Sequence, residues 1–167
     1  MAFMSPVSRP VSLPHPLLPA ADWADRFTLG LPVDNLTARE AARLALENQP
    51  GWVRRLMALR NALVAPFGLK GAAEELRTSE VEIGGFPVVS ASDDRVVLGF
   101  DDRHLDFRIV IDVMADRPRG QTLSVMTLVH RNNLFGRLYL AAVMPFHKLI
   151  VRRMLSGIGE RVLTSRR

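Results

Sequence analysis

His104, Asp106, Arg108 and Asp112 stand at alternate positions along the clearest strand pattern in the chain. In an extended segment, alternate side chains leave one face, about 7 Å apart for each two-residue step. Imidazole changes charge near neutral pH, and a carboxylate beside it can orient or exchange a proton. A second strand pattern follows and carries His130. If the loop over 114–120 is a simple hairpin pairing Val113 with Gln121, His104 lies opposite His130 and Asp106 opposite Leu128. Two imidazoles and a carboxylate would then line a polar pocket able to act as general acid and base. A one-residue slip would remove that pairing. The plainer reading is a solvated face of a half-exposed antiparallel strand.

The other histidines are His15 and His147, and no pair has the close spacing of a helical zinc site. His104, His130 and Asp106 could form a two-histidine, one-carboxylate set across strands. Neither a metal nor a cofactor is expected. The chain has no cysteine, so thiolate nucleophiles, disulfides and cysteine-held metals are excluded. Ile83-Gly84-Gly85-Phe86 lacks the strand and helix context of a dinucleotide turn. No G-x-S-x-G elbow occurs. Near the C-terminus, Tyr139, Met144, Phe146 and His147 surround Pro145, where a bend could open a cleft for their polar tips. The competing reading makes Phe146 and Met144 core and lets His147 bond the carbonyls that the bend releases.

The elements that must position these residues follow from periodicity. Residues 1–19 hold five of the eleven prolines and are expected to be extended and partly disordered, packing only near Leu17 and Leu18. A single domain is expected over 20–167. Ala24–Leu31 reads as a strand. Thr37 with Glu40 forms a capping-box pattern before a helix over Ala38–Asn48, and a second helix is expected over Trp52–Val64. Period two then dominates, with strands over Phe86–Ala91, Val96–Asp101, His104–Val113 and Gln121–Arg131. Leu105, Phe107, Ile109, Ile111 and Val113 share the face expected to point inward. Leu134–Leu163 reads as one long helix bent at Pro145. Its stretch Leu138–Phe146 is apolar all round, which predicts burial on most sides. An antiparallel sheet must bury one face, and only the long helix is large enough to cover it. The expected fold class is α+β of helix-grip type: a curved antiparallel sheet, two short helices after the first strand, and the long helix over the sheet. Such a fold often leaves a cavity between sheet and helix.

Apolar residues make up 48% of the 167 and charged residues 23%, the balance of a chain that folds. The net charge is +5, with 20 Arg and only Lys70 and Lys148 as lysines. From Arg152 to Arg167 there are five Arg against Glu160 alone, whereas residues 1–151 hold 17 basic and 16 acidic groups. The basic excess therefore belongs to one end, and no nucleic-acid partner is expected. No uninterrupted apolar run reaches the about 18 residues of a membrane span. No secretory pattern opens the sequence, so a cytoplasmic location is expected.

Leu98-Gly99-Phe100-Asp101-Asp102-Arg103-His104-Leu105-Asp106-Phe107-Arg108 resembles the central motif of a bacterial family of unknown function, the domain-of-unknown-function family numbered 2867. Asn133-Leu134-Phe135-Gly136-Arg137-Leu138-Tyr139 and Pro145-Phe146-His147-Lys148-Leu149-Ile150-Val151 are similar to that family's ending. His15-Pro16, with Ala21-Asp22-Trp23-Ala24-Asp25 following, is similar to its start. The resemblance covers the chain from about residue 15. It implies a distant relation to the START and birch-pollen-allergen superfamily, the SRPBCC proteins, which bind hydrophobic ligands beneath a long helix. It brings no catalytic residues.

The leading functional expectation is a binding domain for a small hydrophobic or amphipathic molecule. His104, Asp106, Arg108, His130, Tyr139, Phe146 and His147 are the candidate lining residues. One alternative is an enzyme using a polar pocket around His104 and His130. Another is an interaction or membrane-surface module acting through the Arg-rich C-terminal end. A homodimer is compatible with edge strands and an apolar helix.

Overall fold

A computed structural model describes residues 5–47, 51, 55 and 81–164. The elements in chain order are β1 (Val7–Arg9), β2 (Trp23–Leu31), α1 (Ala38–Leu46), β3 (Glu82–Ile83), β4 (Phe86–Ala91), β5 (Arg95–Asp101), β6 (Leu105–Asp116), β7 (Gly120–Arg131) and α2 (Leu134–Thr164). The expected helix over Trp52–Val64 lies outside the described residues. The strands form one antiparallel sheet in the order β1-β2-β7-β6-β5-β4-β3.

Local chemistry accounts for the helix ends. The Glu40 amide donates to Thr37 Oγ1 at 3.2 Å, and the Thr37 amide donates to Glu40 Oε2 at 3.0 Å, closing the capping box of α1. Bonds from the Thr37 backbone and hydroxyl hold the Glu40 carboxyl below its ordinary range. Ala38, Ala41, Ala42 and Ala45 are buried, so α1 lies close to the sheet. Asn133 caps α2, its Oδ1 accepting from the Gly136 amide at 3.0 Å. A Cβ on Gly136 would stand 2.1 Å from the His104 carbonyl oxygen, so only glycine lets α2 start this near the β5–β6 turn.

The inner face is the apolar one, as the alternation predicts. Phe27, Leu29, Val96, Leu98, Ile111, Leu123 and Val125 meet α1 and the second half of α2. Val151, Leu155 and Ile158 are the α2 residues that fill this core. Full burial of each such side chain contributes about 1.5–3 kcal/mol.

The opposite face is not a plain solvated surface. Val97, Val110, Met126 and Leu128 are buried there beneath Leu18 and Ala21. The segment expected to pack only near Leu17 and Leu18 is engaged further, since Val7–Arg9 pairs with β2 and Val11 joins the packing. The cause lies in the outer positions of the central strands, several of which are apolar and need a cover.

The hairpin register differs from the simple expectation. Val113 pairs with Leu123 rather than Gln121, and Asp116 pairs with Gly120 around a turn of three residues. Gly120 at φ 113° allows that tight return, where a Cβ would meet the Leu31 carbonyl oxygen at 2.3 Å. The offset is two residues, so the faces are kept but the partners change. His130 stands opposite Asp106, and His104 precedes the strand.

The expected burial of Leu138–Phe146 is also corrected. Leu138 is 63% exposed and Phe146 50% exposed. The sheet offers α2 only one side, and the apolar residues on its far side stay at the surface.

Candidate functional site

Cross-strand pairing on the inner face stacks residues in rows. Trp23, Val129, Phe107 and Phe100 form one row, and Phe27, Val125, Ile111 and Val96 form another. Between them runs Asp25, Thr127, Ile109 and Leu98. Two polar residues thus interrupt an apolar surface, side by side. β2 supplies the carboxylate and β7 the hydroxyl, because both strands place odd-numbered residues inward here.

The long helix supplies the third group. His147 lies two residues after Pro145, on the side of α2 that faces the sheet. Its Nε2 is 3.3 Å from Thr127 Oγ1, 3.3 Å from Asp25 Oδ1 and 3.2 Å from Asp25 Oδ2. An ionised carboxylate only accepts, so Nε2 is the donor toward Asp25. These contacts are longer than the about 2.7–2.9 Å of a tight charge-assisted bond. Asp25 Oδ2 is buried and accepts no well-directed hydrogen bond. The carboxylate therefore keeps an acceptor for another donor. Trp23 meets the imidazole edge-on, with centroids 5.8 Å apart. The expectation that His147 serves backbone carbonyls gives way to these side-chain contacts.

Beside the cluster lies an aromatic floor. The Phe100 and Phe107 rings are 4.5 Å apart, and Phe86 and Phe107 are 5.9 Å apart, all edge-to-face. Phe86, Phe100, Phe107 and Ile109 face inward yet are only half-buried. Tyr139 and Met144 from α2 are half-buried against the neighbouring apolar group of Leu105, Val129 and Leu140. Phe146 points to the surface.

Of the four polar candidates from the strands, His104, Asp106 and Arg108 serve other contacts. Asn133 Nδ2 lies 2.9 Å from His104 Nδ1 and donates to the Arg103 carbonyl, so His104 ties the β5–β6 turn to the α2 N-terminus. Asp106 Oδ1 accepts from the Asp102 amide at 3.2 Å and from Asn132 Nδ2 at 3.0 Å. Arg108 Nη1 pairs with Asp101 at 2.6 Å and donates to the Phe107 carbonyl. His130 is on the outer face, with its Nδ1 buried and unbonded. None of these four shares the inner row with His147. Among the described residues, no group of three His, Asp or Glu side chains is placed to hold a metal ion.

Two surface clefts lie toward the other end of the sheet. One of about 450 Å³ is lined by Pro32, Asp34, Arg117 and Arg119 among others. One of about 500 Å³ lies between Leu36, Arg43, Leu44 and Val162. Neither includes His147.

A family model described as Protein of unknown function (DUF2867) matches residues 17–154. The chain belongs to that family. No curated protein and no solved structure matches the chain. The matched stretch includes Asp25, Thr127 and His147, and it stops before Arg161. No sequence motif marks Asp25 or Thr127 as a site residue. The usable signal was the break each makes in an apolar alternation, Asp25 between Trp23 and Phe27, and Thr127 between Val125 and Val129.

Proposed function

We propose that this DUF2867 domain binds a small amphipathic molecule between the inner sheet face and the first half of α2. The single observation that carries the reading is the mostly buried Asp25–His147–Thr127 cluster set beside a half-buried aromatic floor. The apolar body of the ligand rests on Phe86, Phe100, Phe107 and Ile109. Its polar head meets the cluster. Asp25 Oδ2 offers an acceptor, so the head is a donor such as a hydroxyl or amine. A carboxylate head would face a like charge, which is costly in a low-dielectric site. Tyr139 and His147 remain lining residues in this reading, His104, Asp106 and Arg108 become supports of the scaffold, and His130 stands on the outer face. The long helix over the sheet supports it too, as the arrangement that gives SRPBCC proteins their ligand site.

Fluorescence titration of the full chain tests the proposal with N-phenyl-1-naphthylamine, a neutral amine probe, and anilinonaphthalene sulfonate, an anionic one. The neutral probe is expected to bind more tightly. Asp25→Asn should weaken it several-fold, and Phe107→Asp should abolish it while the circular dichroism spectrum is kept. Absence of neutral-probe binding, or binding indifferent to both substitutions, would overturn the reading.

A further inference from the structure

We infer that the outer face of α2 docks on an anionic lipid surface. Leu134, Leu138, Ala141, Ala142, Pro145 and Leu149 recur at helical spacing and are all exposed. They lie on the side of the helix away from Gly136, Leu140, Val151 and Leu155, which are buried. From Leu134 to Leu149 the stripe runs about 23 Å along the axis. A helix packed on a soluble domain normally turns polar residues outward here. A contiguous apolar patch of this kind marks a contact surface.

The charges on the helix select the occupant. Before Glu160, every charged residue of α2 is a cation: Arg137, Lys148, Arg152 and Arg153, all exposed. A second copy laid antiparallel on the stripe would bring Arg137 toward Lys148 of its twin, with no acid before Glu160 on either helix to compensate. A nucleic acid would use the cations and leave the leucines wet. An anionic bilayer surface uses both, because leucine enters the acyl boundary while Lys and Arg meet the headgroups. By length and composition alone α2 would suffice to cross a membrane. Its inner face is already committed to the sheet through Val151, Leu155 and Ile158, so the helix lies on the surface. The inference is independent of the ligand reading, since it uses the opposite side of the helix.

The cysteine-free sequence permits a clean test. A nitrobenzoxadiazole probe is attached at Leu138→Cys in the full chain, with Asp93→Cys as a remote control. Vesicles of phosphatidylcholine containing phosphatidylglycerol should blue-shift and brighten the Leu138 probe several-fold. Phosphatidylcholine alone should change it little, and high salt should weaken the response. The double variant Lys148→Glu, Arg153→Glu, shown to be folded by circular dichroism, should lose most of the binding. An unchanged spectrum with anionic vesicles overturns the inference. So does a lipid-free shift that grows with protein concentration alongside a dimer mass, which would assign the face to a second copy. A probe already buried in the free monomer overturns it as well, by showing that the chain covers its own stripe.

Discussion

His147 on the long helix reaches Asp25 on β2 across the sheet–helix seam, with Nε2 3.2 Å from Oδ2. The contact sits in the row where Asp25 and Thr127 interrupt the apolar inner face. Removing the imidazole leaves a mostly buried carboxylate without its donor, whereas removing both leaves only apolar surface. His147→Leu is therefore expected to destabilise the fold by about 1–3 kcal/mol. The double variant Asp25→Leu, His147→Leu should cost less than the sum of the single changes. Urea midpoints of the four proteins measure this. Strict additivity would mean that the two groups are not coupled.

Much of this architecture is legible in the sequence because it rests on local rules. The capping box at Thr37, the alternation through Leu105–Val113 and the 3.6 period after Leu134 each depend on residues a few positions apart. The inward choice of the Phe107 face follows from the same alternation. The site is less legible, because Asp25, Thr127 and His147 come from three distant elements. Their meeting depends on register, and register depends on the turn. A longer return would set His130 opposite His104, and the three-residue turn sets it opposite Asp106. Burial on α2 is illegible for a different reason. An all-apolar helix segment shows that water is disfavoured on every side, but not that the fold supplies a cover.

Gly136 offers a case where two opposed effects have known sizes. Replacing glycine by alanine inside a helix ordinarily stabilises it by about 1 kcal/mol. Here the new Cβ would lie 2.1 Å from the His104 carbonyl oxygen, a backbone atom that cannot swing aside. Overpacking of this kind costs about 1–3 kcal/mol, so Gly136→Ala should lower the melting temperature despite its better helix propensity. A rise in melting temperature would show that the turn yields freely.

His15 makes the cover over the outer face sensitive to pH. Its Nδ1 accepts from the Leu17 amide at 3.2 Å. Burial lowers its pKa below the ordinary 6.5, Arg26 and Arg95 lower it further, and Asp112 opposes them. The unfolded chain therefore binds a proton more readily than the folded one. The stabilising contribution is complete above the unfolded value and is lost as pH falls through the folded one. His15→Asn removes the titration. Between about pH 7.5 and pH 5, the urea midpoint of the wild type should fall more than that of the variant. Parallel slopes would place the pH sensitivity elsewhere.

Arg95 holds the most enclosed carboxylate of the outer face. Asp112 is 6% exposed, and Arg95 Nε lies 2.6 Å from its Oδ1. The two residues are direct cross-strand partners on β5 and β6, so the pair costs little backbone adjustment. The hydrogen bond from Arg95 keeps the guanidinium above its ordinary pKa. Arg95 itself is half exposed, which limits what the pair adds to stability. Losing it is another matter, because Asp112 stays behind in a closed site. Arg95→Met is expected to cost about 1–3 kcal/mol, whereas Asp112→Asn, which leaves no stranded charge, should cost less. Thermal unfolding of both variants near neutral pH checks the order. Equal losses would mean that water reaches Asp112 once the arginine is gone.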